Sequence, residues 1–508
     1  MPLSRLLIAA SALSLAATPA VAQMNMPGMS MPMKPKPATK KAGAKKKPAA
    51  KKTKTTKPVT HTAPKSTQSS QGMTMPAKQN APGAPPSTDN GGAMPMPGQA
   101  MPAEDMPMPM NQQMGGMAHG SSGMAMTGVL GPYPMERESS GTAWQPDSSS
   151  HAGVMGGSGG WTLMAHGTLN LVYDHQSGPR GDDKRFASGM LMGMARRPLG
   201  NGTLQLRASL SPDPIMGPRG YPLLLASGET ANGRDRLIDR QHPHDFFMEL
   251  SASVSQEIGR NSSVFLYAGL PGEPAFGPPA FMHRQSIMDS PEAPITHHWL
   301  DSTHISFGVV TAGLVLGRAK FELSRFNARE PDQHRWNIET GPLDSTAIRI
   351  SWNPTRTLAL QGSWGRFRDP EQLEPGVDQT RWSASALWAD EIAPGWTAAA
   401  TLAWGRKTAE AHHDDALAAE ASLRHARWTF FGRAEMARNR ELVAGADAPA
   451  YRVGKASLGA VRDFPLADRL SLGAGGLFSV NFVPGALAPV YGGREPAGFM
   501  TFVQLKLR

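Results

Sequence analysis

The sequence predicts an all-β fold: an antiparallel transmembrane β-barrel of about 12–16 strands, preceded by a disordered Met/Lys/Pro-rich tail. Three observations carry this expectation. The chain opens on an export signal. It has no second apolar stretch of membrane-spanning length. From about Gly128 onward it alternates apolar and polar residues in short segments punctuated by Gly and Pro.

The export signal is residues 1–22. Arg5 precedes an apolar run of Leu, Ile and Ala that ends in Ala20-Val21-Ala22, a small-x-small cleavage site before Gln23. The run is too short and too rich in Ala and Ser to anchor the chain, since a spanning helix needs about 20 apolar residues. Without spanning helices, only a closed barrel satisfies every backbone N–H and C=O in lipid. Cysteine is absent, so neither disulfides nor thiolate metal sites contribute in the oxidising periplasm.

Residues 23–127 form the tail, and 128–508 are expected to form the barrel. The tail is built from Met, Pro, Gly, Ala, Lys, Ser and Gln, and cannot bury enough apolar surface to offset the entropy of ordering. It holds Arg5 and 13 Lys (with the signal included) against Asp89, Glu104 and Asp105, or +11; the whole chain is +10, so residues 128–508 sit at −1. The basic character therefore belongs to the tail, chiefly to Lys34–Lys57. That block suits lipid phosphates or lipopolysaccharide. Nucleic acid is not an expected partner of an exported chain.

Of the 30 methionines, 17 fall between Met24 and Met126. Most recur at i, i+2: Met24 and Met26; Met29, Met31 and Met33; Met73 and Met75; Met94 and Met96; Met106, Met108 and Met110; Met124 and Met126. A thioether is a soft, uncharged ligand suited to Cu(I), and protonation does not remove it. Copper is accordingly the expected ligand of the tail, although Met is also tolerated in any linker.

The alternation beyond Gly128 is of period two, the mark of half-buried strands. Met248, Leu250, Ala252 and Val254 alternate with Glu249, Ser251, Ser253 and Ser255. The same pattern covers Ile305–Thr311, Ile348–Trp352, Trp382–Trp388, Trp396–Trp404, Leu417–Leu423, Trp428–Met436 and Phe499–Leu507. The polar positions carry Arg, Glu and Gln, as a watery lumen would. Trp382, Trp388, Trp396 and Trp404 suggest interfacial girdles. Arg508 departs from the Phe with which such barrels commonly end.

A second candidate site lies in loop-dense, histidine-rich stretches: Asp239–Asp245 with His242 and His244, Phe281–Arg284 with His283, and His297–His304 with His297, His298 and His304. Folded into the lumen as a plug or constriction, these imidazoles, with Asp245 and Asp301, could bind Cu(II), Zn or Ni. The competing reading is that His and Asp in Pro-rich loops cap turns. No Gly-x-Ser-x-Gly, His-Glu-x-x-His or phosphate-loop motif is present, so no enzymatic activity is expected.

Tyr-Pro-Met-Glu-Arg-Glu (133–138), Ser-Gly-Thr-Ala-Trp-Gln-Pro (140–146), Asp-Arg-Gln-His-Pro-His-Asp (239–245), Pro-Gly-Glu-Pro-Ala (271–275) and His-His-Trp-Leu-Asp-Ser-Thr-His-Ile (297–305) resemble a largely uncharacterised family of proteobacterial outer-membrane β-barrel proteins. That resemblance, over residues from about 130 to 508, implies the fold rather than an activity. The Met-rich tail separately resembles the tails of copper-resistance outer-membrane proteins of the B type, whose barrel this chain does not match. It implies periplasmic copper binding.

The expectation is thus an outer-membrane copper-tolerance component, with periplasmic copper-handling proteins as possible partners. The alternative is a passive porin or channel for a small solute, with a tethering tail.

Overall fold

The computed structural model describes residues 126–150, 153–443 and 449–508. The expected signal peptide and all the tail methionines before Met126 lie outside the described residues.

Sixteen antiparallel strands close into a barrel. A short strand β1 (Val154–Ser158) turns into the first wall strand, β2 (Trp161–Gln176), followed by β3 (Asp183–Leu199) and β4 (Gly202–Leu210). A hairpin of β5 (Tyr221–Thr230) and β6 (Arg236–Gln241) is separate from the wall. The wall resumes with β7 (Phe247–Gly259), β8 (Ser262–Gly269), β9 (Val309–Leu316), β10 (Ala319–Phe326), β11 (Ser345–Trp352), β12 (Leu358–Phe367) and β13 (Gln379–Ala393). It ends with β14 (Trp396–Ala409), β15 (His412–His425), β16 (Trp428–Asn439), β17 (Tyr451–Ala467), β18 (Leu470–Phe482) and β19 (Ala497–Leu507). Each wall strand pairs with the next, and β19 closes on β2 from Gly498↔Gln176 to Leu507↔Gly167. Closure leaves no unpaired edge in lipid.

The alternation sorts by side of the wall. In β13, Arg381, Ser383 and Ser385 face the lumen and are buried, while Trp382 faces outward at 48% exposure. Leu171, Leu266, Ile350, Leu402 and Leu458 continue the outer apolar band. Trp352, Trp396 and Trp428 stand at the end of the barrel that holds the first residues of β2 and the last of β19. Trp364 and Trp382 stand toward the other end, 6.4 Å apart. The two bands match aromatic girdles at two interfaces.

One expected strand differs. Ile305 and Phe307 belong to an inserted loop, and the strand begins at Val309. Val309 and Thr311 face inward, and Val310 faces the lipid. The reason is local: the lumen here is filled by aromatic rings, with Val309 packed among Tyr267, Phe276, Phe326 and Phe367.

Loop length separates the two ends. At the β2-start and β19-end side, the connections are tight, as at Gly259–Ser262 or Ala393–Trp396. At the other end the connections include 211–246, 270–308 and 327–344. Outer-membrane barrels place short turns in the periplasm and long loops outside. The histidine-rich stretches therefore belong to long outer loops.

Candidate functional site: the occupied lumen

The lumen is filled from both ends. Residues 126–150, which precede the wall, lie inside it near the short-turn end. Val129 and Leu130 carbonyls accept from Ser255 and Ser263 Oγ, both at 2.6 Å, and Arg137 donates to the Gly317 carbonyl in a short turn at 2.9 Å. Arg137 also pairs with Asp147 at 2.7 Å and lies over the Tyr133 and Trp144 rings. From the outer end come residues 211–246, with β5 and β6, and residues 270–308. Leu223, Leu224 and Leu225 of β5 are wholly buried, and Tyr221 stacks on Phe186 of the wall at 4.5 Å. All five sequence strings quoted above fall in these inserted segments, not in the wall.

Loop 270–308 is held by buried ion pairs to inward-facing wall residues. Arg284 reaches Glu420 of β15 at 2.6 Å and Asp301 of its own loop at 2.6 Å. Glu292 meets Lys455 of β17 at 2.5 Å and Arg433 of β16 at 3.4 Å. Asp289 meets Lys506 and Arg508, both at 2.7 Å, and Arg424 at 3.0 Å. Arg508, just beyond β19, thus helps clamp the loop. Burial alone would raise the Asp289 carboxyl, but these three cations hold it well below its ordinary range. Asp289 has come from the outer end, yet its partners sit at the end of β19, so the loop runs down most of the barrel.

The structure brings five of the six predicted histidines together. Ring centroids are 5.1 Å apart for His244 and His304, 5.2 Å for His297 and His304, 5.7 Å for His242 and His298, and 6.1 Å for His242 and His297. His283 stands apart, 6.0 Å from His166 of β2. Each clustered ring is tethered through Nδ1: His244 to Asp213 (2.8 Å), His297 to Asp301 (2.8 Å), His298 to Glu330 (3.2 Å), His304 to the Asp301 carbonyl (2.7 Å) and His242 to the Pro243 carbonyl (3.3 Å). Burial, then the neighbouring His244 and His297, push the His304 imidazole down to about 3. Burial lowers His242 and His297 as well, whereas Glu330 raises His298 against its burial. Of the two carboxylates read with them, Asp301 bridges His297 and Arg284, and Asp245 pairs with Arg335 at 3.1 Å.

These histidines do not converge as a ready three-ligand set. Among the described residues, the group of His, Asp and Glu whose ligand atoms all lie within 4.8 Å of one another is Glu371, Glu374 and Glu441. Arg236 already occupies it, with contacts of 3.3, 2.8 and 2.7 Å. Of the tail methionines only Met126 is described; its carbonyl accepts from Met135 N at 2.9 Å.

A cavity of about 170 Å³ remains along β1, β2 and β3. It runs from Met155, 45% exposed at the short-turn end, to the buried His242 and His244. Its wall methionines are Met155, Met164, Met190, Met192 and Met194, and inserted segments add Met135, Met282 and Met288. Twelve methionines lie beyond residue 127, so eight of the twelve line this one space. None of these eight is among the tail methionines expected to bind metal. The signal was present in Met190-x-Met192-x-Met194, the same i, i+2 spacing, which in a strand puts all three thioethers on one face.

No family model matches the chain, and no curated protein matches it. Among solved structures, it is similar to outer-membrane expressed OmpT of Vibrio cholerae (8% identity, 70% of this chain and 100% of that chain, TM-score 0.40) and to Salmonella typhi OmpF in complex with daunomycin (9%, 70% and 100%, 0.43). It is also similar to an anion-selective porin from Comamonas acidovorans (12%, 68% and 99%, 0.40). At these identities and TM-scores, what the chain does has to be read from the lumen itself.

Proposed function

We propose that this chain is an outer-membrane, channel-type barrel in which inserted segments narrow the path to a small solute. The observation that supports this reading is the occupied lumen: three polar-anchored segments fill a sixteen-stranded barrel, and a narrow cavity remains beside β1–β3. Buried ion pairs hold a segment in place, because loss of either partner leaves an uncompensated buried charge. Conductance of the full-length protein in a planar bilayer tests the proposal. Small, switching conductance steps are expected. A silent bilayer, with folded barrel inserted, would exclude a channel.

The finer reading is that the solute is a soft metal ion and that the protein contributes to copper tolerance. The paired methionines of the tail favour it, because Met-x-Met thioethers select Cu(I) over hard cations. The Lys34–Lys57 block would hold the tail at anionic lipid or lipopolysaccharide. Deleting residues 24–126 should lower growth in copper while the barrel still folds; unchanged growth counts against this reading.

A further inference from the structure

We infer that the inner end of the lumenal cavity is a binding site for a single soft monovalent cation, of the Cu(I) or Ag(I) class, held by His244 Nε2 and the thioethers of Met190, Met192 and Met282. The inference rests on the soft-metal reading above only for its choice of solute. Its support lies in the barrel rather than in the tail.

The first support is the state of His244. The residue is 9% exposed and lines the cavity. Its Nδ1 lies 2.8 Å from Asp213 Oδ2. An ionised carboxylate only accepts, so Nδ1 carries the proton and Nε2 presents a lone pair. That Nε2 is buried and has no hydrogen-bond partner. A buried acceptor without a partner is costly, and a metal ion satisfies it. A carboxylate behind an imidazole is also the arrangement that fixes the ring and its tautomer in metal sites. Here the carboxylate is itself fixed, since the other Asp213 oxygen accepts from Gly189 N at 3.2 Å. The same bond ties His244 to the strand position next to Met190.

The second support is the placement of the sulfurs. Met190, Met192 and Met282 pack in one cluster and all line the cavity. Met190 and Met192 come from one face of β3, and Met282 comes from loop 270–308, so wall and plug both contribute. Met190 and Met192 also pack with Met248, Ile305 and Phe307. Packing does not account for an imidazole Nε2 buried without a partner on the same cavity. Long, unbranched Met side chains can close on an ion without moving the backbone. Thioethers and a neutral imidazole carry no charge, so a monovalent ion adds one positive charge, and Asp213 lies behind the ligand to offset it.

The third support is the way in. The cavity mouth carries Met155, paired across β1–β2 with Met164, which is paired across β2–β3 with Met194. Deeper in, Met192 stands opposite His166. Opposed residues on adjacent strands lie about 5 Å apart, so soft side chains continue inward from the mouth. Residue 127 sits at that mouth, its carbonyl accepting from cavity-lining Arg196 at 2.9 Å.

The test uses the full-length chain with the methionines of residues 24–126 replaced by leucine, refolded and titrated with Ag(I) in chloride-free buffer. One tightly bound ion is expected, with sulfur and nitrogen neighbours in its X-ray absorption spectrum. Adding Met190→Leu and Met192→Leu should weaken it at least tenfold. Adding His244→Gln instead should remove the nitrogen neighbour, and heat-shifted gel mobility confirms that each variant folds. No bound ion in the tail-substituted protein, while the native protein binds several, overturns the cavity site and leaves the tail reading standing. An ion that ignores all three substitutions overturns it as well. No binding by the native protein sinks both.

Discussion

The wall and the plug of this molecule obey opposite rules. The wall turns its apolar residues outward, with Leu458 at 72% exposure, and its charges inward, where Arg349, Arg381, Lys320, Lys455 and Lys506 are almost wholly buried. The plug combines apolar packing, as at Leu223, Phe281 and Ile287, with charge: Arg284, Asp289 and Glu292 meet partners more than a hundred residues away in the sequence. Lipid stabilises the wall through a continuous, non-directional band and through backbone pairing. The plug depends in addition on directional ion pairs, so single substitutions should separate the two.

The largest effect is expected at Arg284. Arg284→Met leaves Glu420 and Asp301 buried without their cation, a loss of about 3–5 kcal/mol in contacts that hold loop 270–308. Bilayer conductance should rise while the folded barrel keeps its heat-shifted mobility. Conductance equal to that of the native protein would mean that the loop does not limit the path. The converse probe is Leu458→Arg in the middle of β17, which places a charge on the lipid face and should cost about 2–4 kcal/mol of barrel stability. Urea unfolding should register that loss with conductance unchanged; a conductance change would show that wall and plug are coupled.

Acid sharpens the contrast more gently. His304, at about 3, and His242 and His297, also lowered, are neutral when folded and protonate when unfolded. Their contribution is complete above about 6.5 and is lost as pH falls, by up to about 1.4 kcal/mol per unit and per group. Glu229 and Asp245 oppose this at first: burial raises them to about 7 and about 6, and protonation relieves them until they reach their ordinary values near 4. His298, raised by Glu330, also opposes it until its ordinary value is passed. Below about 4 that relief is exhausted, and Asp289 and Asp301, which their cations hold low, begin to lose their contribution too. The plug should therefore loosen between about pH 4 and 3, seen as protease cleavage within 270–308. A loop equally protected at pH 3 and 7 would refute the sign of this balance.

Much of the wall was legible in the sequence because lipid imposes its pattern locally. Arg381, Ser383 and Ser385 against Trp382 can be sorted from neighbours alone, since successive strand residues point to opposite sides. The exception, Val309 and Thr311, lies where plug aromatics replace water as the inner surroundings. The histidine stretches could be singled out and placed in the lumen by composition and loop length. Their pairing could not: His244 meets Asp213, and His304 meets the carbonyl of Asp301, through turns with no periodic signature. The methionines of the cavity were legible in principle as Met190-x-Met192-x-Met194, but that spacing alone does not say that Met155, Met164, Met282 and Met288 join them.

The sequence by itself determined a β-architecture suited to lipid, a neutral barrel region beside a basic tail, and a supply of soft ligands. Period-two alternation, charge and composition are properties of neighbouring residues. Only the tertiary structure decided which end the long loops occupy, that Asp289 reaches Arg508, and that eight methionines from three wall-associated strands and the inserted segments share one cavity with His244. Those outcomes depend on barrel closure, which sets strand count and register and so fixes which distant side chains meet across the lumen.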